Sequence, residues 1–248
     1  MKHRRFRIDP EKIQGPEATI DEASEIRHIR KVLRLKVGEP VVLFDGKGKE
    51  YQASIVRISP REIRFALTPE HDSSGKESPL RIILGAALLK PAKFEWLLQK
   101  ATELGVTQIV PFYSSRVVSR REEGRGENRI VRWEKIVAEA AKQCGRAIIP
   151  AIFPPRSFEE VLQGDWGMVT KVILWERETT GALAGAVKGA SGILVLVGPE
   201  GGFSDGEAGR AQAAGFRPVH LGPRVLRAET AGIAAVAILQ YLLGDLGK

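Results

Sequence analysis

Cysteine is almost missing from this sequence: Cys144 stands alone in a chain of 248 residues. One thiol excludes an internal disulfide framework and offers nothing to a zinc cluster. Histidine is nearly as scarce, and His3, His28, His71 and His220 lack the short spacings of metal ligands, so no metal is expected. No apolar run reaches the length of a membrane span, and the stretch from Met1 to Pro10 is basic without the apolar core of a secretory signal. These absences predict a soluble, cytoplasmic protein with no membrane attachment. Two common nucleotide signatures are missing too. Gly198-Pro199-Glu200-Gly201-Gly202 is not G-x-G-x-x-G, and no Gly-Lys-Ser/Thr follows it. A carboxylate at Glu200 would repel a triphosphate but would favour a cationic or hydroxyl-bearing ligand.

What is abundant is positive charge. The formal net charge is +8, which favours a polyanionic partner, although the same excess also keeps a protein in solution. The polar, turn-rich stretch from His71 to Pro79 interrupts the apolar pattern and marks a boundary, with a small domain over residues 1–72 and a larger one over 79–248. Before it, Val41 to Phe44, Tyr51 to Ile58 and Ile63 to Leu67 read as short strands, and one helix is predicted from Asp21 to Leu33. Ile26, Ile29 and Leu33 recur on that helix at core-facing spacing, which leaves Arg27, Arg30, Lys31 and Arg34 on other faces. RNA phosphates would neutralise such a cluster; the alternative is a solvated face paired with Glu22 and Glu25.

After the boundary, strands and helices alternate, the mark of a mostly parallel sheet covered on both faces. Strands are predicted at Arg81 to Leu88, Val106 to Phe112, Val172 to Trp175, Ile193 to Val197 and Pro218 to Leu221. Helices are predicted at Lys93 to Leu104, Asn128 to Gly145, Ser204 to Ala214 and Glu229 to Gly244. Ser204 and Glu207 have the spacing of a capping box. Two segments each follow an apolar strand and precede a helix: Val197 to Ser204, and Leu221 to Ala231. Turns at matching strand ends suggest one ligand pocket, since ligands in open α/β sheets lie at the carboxyl ends of strands. Between Ser114 and Arg146 nine basic residues face five glutamates, and Gly124 and Gly126 suggest a loop that orders on RNA. Cys144, in that segment, is read as a small packing residue rather than a nucleophile. The last helix has almost no polar face and must be buried all round or pack against a second subunit.

The pair VGPEGGFSDGE and LGPRVLRAETA, with Gln143-Cys144-Gly145-Arg146, His28 to Arg34 and Lys90-Pro91 in the same order, resembles the ribosomal RNA small subunit methyltransferase E family nearly end to end. The resemblance implies an α/β fold: a C-terminal SPOUT domain with a trefoil knot and a small N-terminal PUA-like β-barrel. It implies methylation of N3 of one uridine in 16S ribosomal RNA, with S-adenosylmethionine as cofactor and the small ribosomal subunit as partner. It also implies a homodimer built on the last helix. The cofactor is expected against Leu174, Val197, Gly198, Pro199, Glu200, Gly201, Gly202, Leu221, Gly222, Leu226, Thr230 and Ala231. Since N3 must lose its proton before it can accept a methyl group, Arg227 or Arg224 is expected to stabilise the anion, with Glu229 as proton acceptor or orienter. Either arginine could instead contact phosphate or brace the loop. RNA contacts are expected at Arg4, Arg5, Arg27, Arg30, Lys31, Arg34, Arg116, Arg120, Arg121 and Arg146. Two other readings stand beside this one: a SPOUT-class ribose 2′-O methyltransferase, and a noncatalytic RNA-binding ribosome-assembly factor.

Overall fold

A computed structural model describes residues 4–68, 71–72, 77–116 and 126–247. The chain forms two compact units. The first comprises Met1–Glu77 with Ala141–Ile149, the second Ser78–Ala140 with Pro150–Lys248.

The first unit contains β1 (Arg4–Arg7), β2 (Ile13–Gln14), β3 (Glu17–Ile20), α1 (Ala23–Arg27), β4 (Pro40–Phe44), β5 (Lys49–Ile58), β6 (Ile63–Leu67) and β7 (His71–Asp72). They make a curled sheet in the order β1-β4-β5-β6-β3-β2, with β7 on β5; β1 and β4 run parallel, and every other pair is antiparallel. Alternate residues Phe6, Ile8, Val41, Leu43, Ala53, Ile55, Ile63 and Phe65 close its inner face.

The helix expected from Asp21 to Leu33 is only five α-helical residues, followed by a π turn over His28–Val32, closed by Leu33 N–H donating to the His28 carbonyl at 2.9 Å. So short a helix does not hold itself. Ile26 and Ile29 hold it, each buried in the sheet's core and each contributing about 1.5–3 kcal/mol. The extra residue of the π turn, and Arg34 in the left-handed region at φ 52°, carry the chain back so that Leu35 is also buried.

Two cations expected against RNA turn inward in this unit. Arg146 is 6% exposed; its guanidinium pairs with Glu77 at 3.0 Å, and the other oxygen of Glu77 accepts the N–H groups of Ala147 and Ile148. Arg5 pairs with Glu50, lies over the Phe44 ring at 5.0 Å and donates to the Arg146 carbonyl at 3.0 Å. Each guanidinium is thus paired with a carboxylate of its own unit. Cys144 departs from expectation the other way: it is exposed, at the end of a helix, with its Sγ 3.6 Å from the Ala141 carbonyl.

The second unit contains β8 (Arg81–Ala87), α2 (Pro91–Glu103), β9 (Gln108–Tyr113), α3 (Gly126–Cys144, whose last turn belongs with the first unit), β10 (Ala151–Ile152), β11 (Arg156–Ser157), α4 (Phe158–Gln163), β12 (Thr170–Leu174), α5 (Leu183–Ala186), β13 (Gly192–Val197), α6 (Asp205–Ala213), β14 (Arg217–Val219) and α7 (Ala228–Leu243). The sheet order is β10-β9-β8-β13-β12-β14, with β11 also on β9, and all pairs are parallel. As expected of a sheet covered on both faces, β13 is buried throughout. Its Leu194 and Leu196 meet Phe158, Val161, Phe203, Ala211 and Phe216 on one face. On the other, Val197 approaches Gly232 of α7, and a Cβ at Gly232 would stand 2.9 Å from Leu97 of α2.

Helix α7 has one buried polar residue along its packed side beyond the first turn. Gln240 donates from Nε2 to the Leu104 carbonyl at 2.9 Å and accepts from the Ser78 hydroxyl at 2.7 Å, which ties the helix to the end of α2.

Candidate active site

Strands β12, β13 and β14 end side by side at Leu174, Val197 and Val219, and each runs into a turn. A cleft of about 270 Å³ opens over these ends. That is slightly below the usual range for small-molecule sites, about 300–1,000 Å³. Leu174, Val197, Gly198, Pro199, Glu200, Gly201, Gly202, Leu221, Gly222, Arg224, Leu226 and Ala231 all line it, so both glycine turns meet at one place. Among the described residues, Arg227, Glu229 and Thr230 are not part of the lining. Pro223, Val225 and Ala228 of the second segment also line the cleft, which takes in Trp175, Glu176, Val219 and His220 as well, residues that the sequence motifs did not point to.

The first turn is held by local bonds. Gly202 N–H donates to the Pro199 carbonyl at 2.9 Å, and Gly202 lies at φ 66°, where a side chain would be strained and would collide with the carboxylate of Glu176. Ser204 then caps α6, in the expected box with Glu207.

Glu207 does more than cap. It is fully buried, and besides Ser204 it accepts from the Ser115 N–H and from the hydroxyls of Ser114 and Ser115 at 2.7–2.8 Å. Burial works against its charge, but the hydrogen bonds from Ser204, Ser115 and Ser114 outweigh burial and hold the carboxyl down at about 2. Arg116, the next residue, donates from Nη1 to the Gly201 carbonyl at 2.9 Å. The C-terminal end of β9 is thereby fastened to the glycine turn.

In the second turn the Gly222 N–H donates to His220 Nδ1 at 3.0 Å. Leu221, Val225 and Leu226 supply apolar lining suited to the face of a purine, and the open glycine backbone suits its edge. Trp175 contributes a buried indole N–H with no partner among the described residues, and Glu176 and Glu200 bring carboxylates. A ligand with an aromatic base at one end and a cationic group at the other fits this lining, and a nucleoside triphosphate does not.

At the head of α7, Arg227 is exposed in the N-cap position, while Glu229 is 7% exposed, with Oε1 3.5 Å from Lys93 of α2.

This chain matches the family described as RNA methyltransferase domain over residues 76–240, and RNA methyltransferase PUA domain over residues 20–68. It is 33% identical over 224 residues to the ribosomal RNA small subunit methyltransferase E of Buchnera aphidicola subsp. Acyrthosiphon pisum, covering 90% of this chain and 88% of that one. The chain belongs to the ribosomal RNA small subunit methyltransferase E family. A solved structure of that methyltransferase from Neisseria gonorrhoeae, bound to S-adenosyl methionine, superimposes with a TM-score of 0.89 at 36% identity, over 98% of this chain and 99% of that one. A methyltransferase from Legionella pneumophila, in complex with the bound cofactor SAM, gives 0.85 at 31% identity, over 99% of this chain and all of that one. As a member of this methyltransferase family, the chain has the mixed α/β SPOUT fold with an N-terminal PUA domain.

In the PUA unit Arg27, Arg30 and Lys31 on α1 and the π turn, and Arg34 just past it, are exposed. The two carboxylates of the same helix are engaged elsewhere: Glu25 pairs with Lys142 at 3.0 Å, and Glu22 accepts from Ser24. Arg4 is exposed, near Glu39 at 3.6 Å. Arg120 and Arg121 lie outside the described residues.

Proposed function

We propose that this chain binds S-adenosylmethionine in the glycine-turn cleft and transfers its methyl group to N3 of a uridine in 16S ribosomal RNA. The observation that supports it best is the meeting of both glycine turns in one cleft at the carboxyl ends of three parallel strands. When bound, the cofactor supplies a methyl group on a positively charged sulfur. Backbone groups of Leu221, Gly222 and Leu226 are assigned to the adenine, and Glu200 to the cationic end. Catalysis then rests mainly on holding donor and acceptor in line.

Uridine N3 must give up a proton before its lone pair can react, and a cation beside the base oxygens favours that anion. This role is assigned to Arg224, which lines the cleft, or to Arg227, three residues on at the head of α7. Glu229 is better placed to orient than to take the proton, being buried and off the cleft.

The exposed cations Arg27, Arg30, Lys31 and Arg34 are assigned to RNA phosphates of the small subunit. On α7, Ile238, Tyr241 and Leu242 are apolar, exposed and spaced i, i+3, i+4; this face is assigned to a homodimer. Among the described residues no helix is long and apolar enough to cross a membrane, and a cytoplasmic site of action is part of this proposal.

The deciding experiment is methylation of assembled small subunits and of naked RNA, with mass analysis that separates base from ribose products. A methyl group on uridine N3 is expected. A 2′-O-methyl product, or no transfer with RNA binding retained, would replace this reading by one of its alternatives. Arg224→Ala and Arg227→Ala are expected to lower single-turnover transfer, by about a hundredfold for the arginine that faces the anion. Full activity in both variants would remove arginine from the mechanism.

A further inference from the structure

Lys93 occupies a place that its helix does not favour. Lys90 and Lys93 sit in the cap and first turn of α2, at the positive end of the helix dipole, and that turn contains no acidic residue. Two carboxylates from elsewhere hold it: Nζ is 3.5 Å from Oε1 of Glu200, in the glycine turn, and 3.5 Å from Oε1 of Glu229, at the head of α7. Both distances exceed those of a good charged hydrogen bond, about 2.7–2.9 Å, so the ammonium is shared between two anions and fully bound to neither. The partners differ. Glu200 lines the cleft with its side chain 26% exposed, whereas the Glu229 side chain is 9% exposed and its Oε2 is buried without a hydrogen bond among the described residues. A buried carboxylate oxygen left in that state is costly, and the nearest cation is only partly committed to it.

We propose that Glu200, whose charge is shared with Lys93 and through it with Glu229, is the group by which the cleft distinguishes the sulfonium cofactor from a product that carries one positive charge fewer, and that Lys93 tempers this preference. The proposal rests on the assignment of S-adenosylmethionine to this cleft. A cation beside Glu200 repels Lys93 and takes over its role there, and Lys93 then moves fully onto Glu229 and satisfies the orphan oxygen. Methyl transfer turns the sulfonium into a neutral thioether and removes one positive charge. Glu200 then recovers Lys93, and the product loses an attraction that the cofactor had. Because the groups nearest the cleft are partly solvated, the effect is a factor of several, not of thousands.

Calorimetry with S-adenosylmethionine and with S-adenosylhomocysteine tests this without turnover. Glu200→Gln is expected to weaken the cofactor about fivefold while changing the thioether less than about twofold. Lys93→Met alone strands Glu229 in the interior, so the paired variant Lys93→Met with Glu229→Gln is used; it should favour the cofactor over the thioether by a further factor of about three, with a thermal midpoint close to wild type. Equal weakening of both ligands by Glu200→Gln, or an unchanged preference in the paired variant, would overturn the proposal. A wild-type protein that binds neither ligand would instead overturn the cofactor assignment, and this inference with it.

Discussion

At Gly201, which lines the cleft, the fold can accommodate an added side chain. A Cβ there would lie 3.5 Å from Arg116 Cβ, an ordinary contact, whereas at Gly202 it would meet Glu176 from a left-handed backbone. Gly201→Val is therefore expected to keep the thermal midpoint within a few degrees and weaken S-adenosylmethionine at least about tenfold, measured by calorimetry; unchanged affinity would displace the cofactor from this turn. Glu207 gives an acid-side signature. Its folded value of about 2 lies below the ordinary carboxyl value of 4.5, so its stabilising contribution is complete above the latter and is lost as pH falls toward the former. Glu207→Gln should flatten the fall in unfolding free energy across that window, as read by denaturant titrations at stepped pH. Sequence spacing revealed the Ser204–Glu207 box but not the bonds from Ser114 and Ser115, which follow a strand far back in the chain. Lys93 was missed for the same reason: its partners belong to two distant turns, and no local pattern marks a lysine as shared.

Among the elements, the long apolar runs were legible and the short pieces were not. Strand β6 runs from Ile63 to Leu67 as the alternation predicts, and β13 differs from its predicted span by one residue. Strand β1 hides among Arg4, Arg5 and Arg7 because it is recognised only through its parallel partner β4. Helix α4 carried a readable start that was passed over, since Ser157 and Glu160 form the same capping box as Ser204 and Glu207. The π turn had no signature, because Ile26 and Ile29 satisfy an α-helical spacing equally well. Its function is testable through charge. Replacing Arg30, Lys31 and Arg34 together by Gln is expected to weaken binding to small-subunit RNA and to lower the slope of log affinity against log salt by about two to three, with cofactor affinity unchanged. A slope equal to wild type in filter-binding assays would place RNA on another surface.

At the scale of the whole molecule, the proposed homodimer is assigned to the outer face of α7, where Ile238, Tyr241 and Leu242 are exposed on a helix whose other side is buried. Ile238→Glu should convert the dimer to monomer in sedimentation velocity while leaving the circular dichroism spectrum intact, and a wild-type monomer at micromolar concentration would end the assignment. The path of the chain through the first unit has a different consequence. Ala141–Ile149 is part of that unit, Ile149 donates to the Gly46 carbonyl at 3.0 Å, and Arg146 meets Glu77. On the ribosome, the N-terminal sheet emerges long before the segment that completes it, and the intervening residues Ser78–Ala140 must be made first. The PUA unit is thus finished only when more than half of the polypeptide has been translated. A gene fragment ending at the boundary visible in the sequence would encode its strands but not its closure.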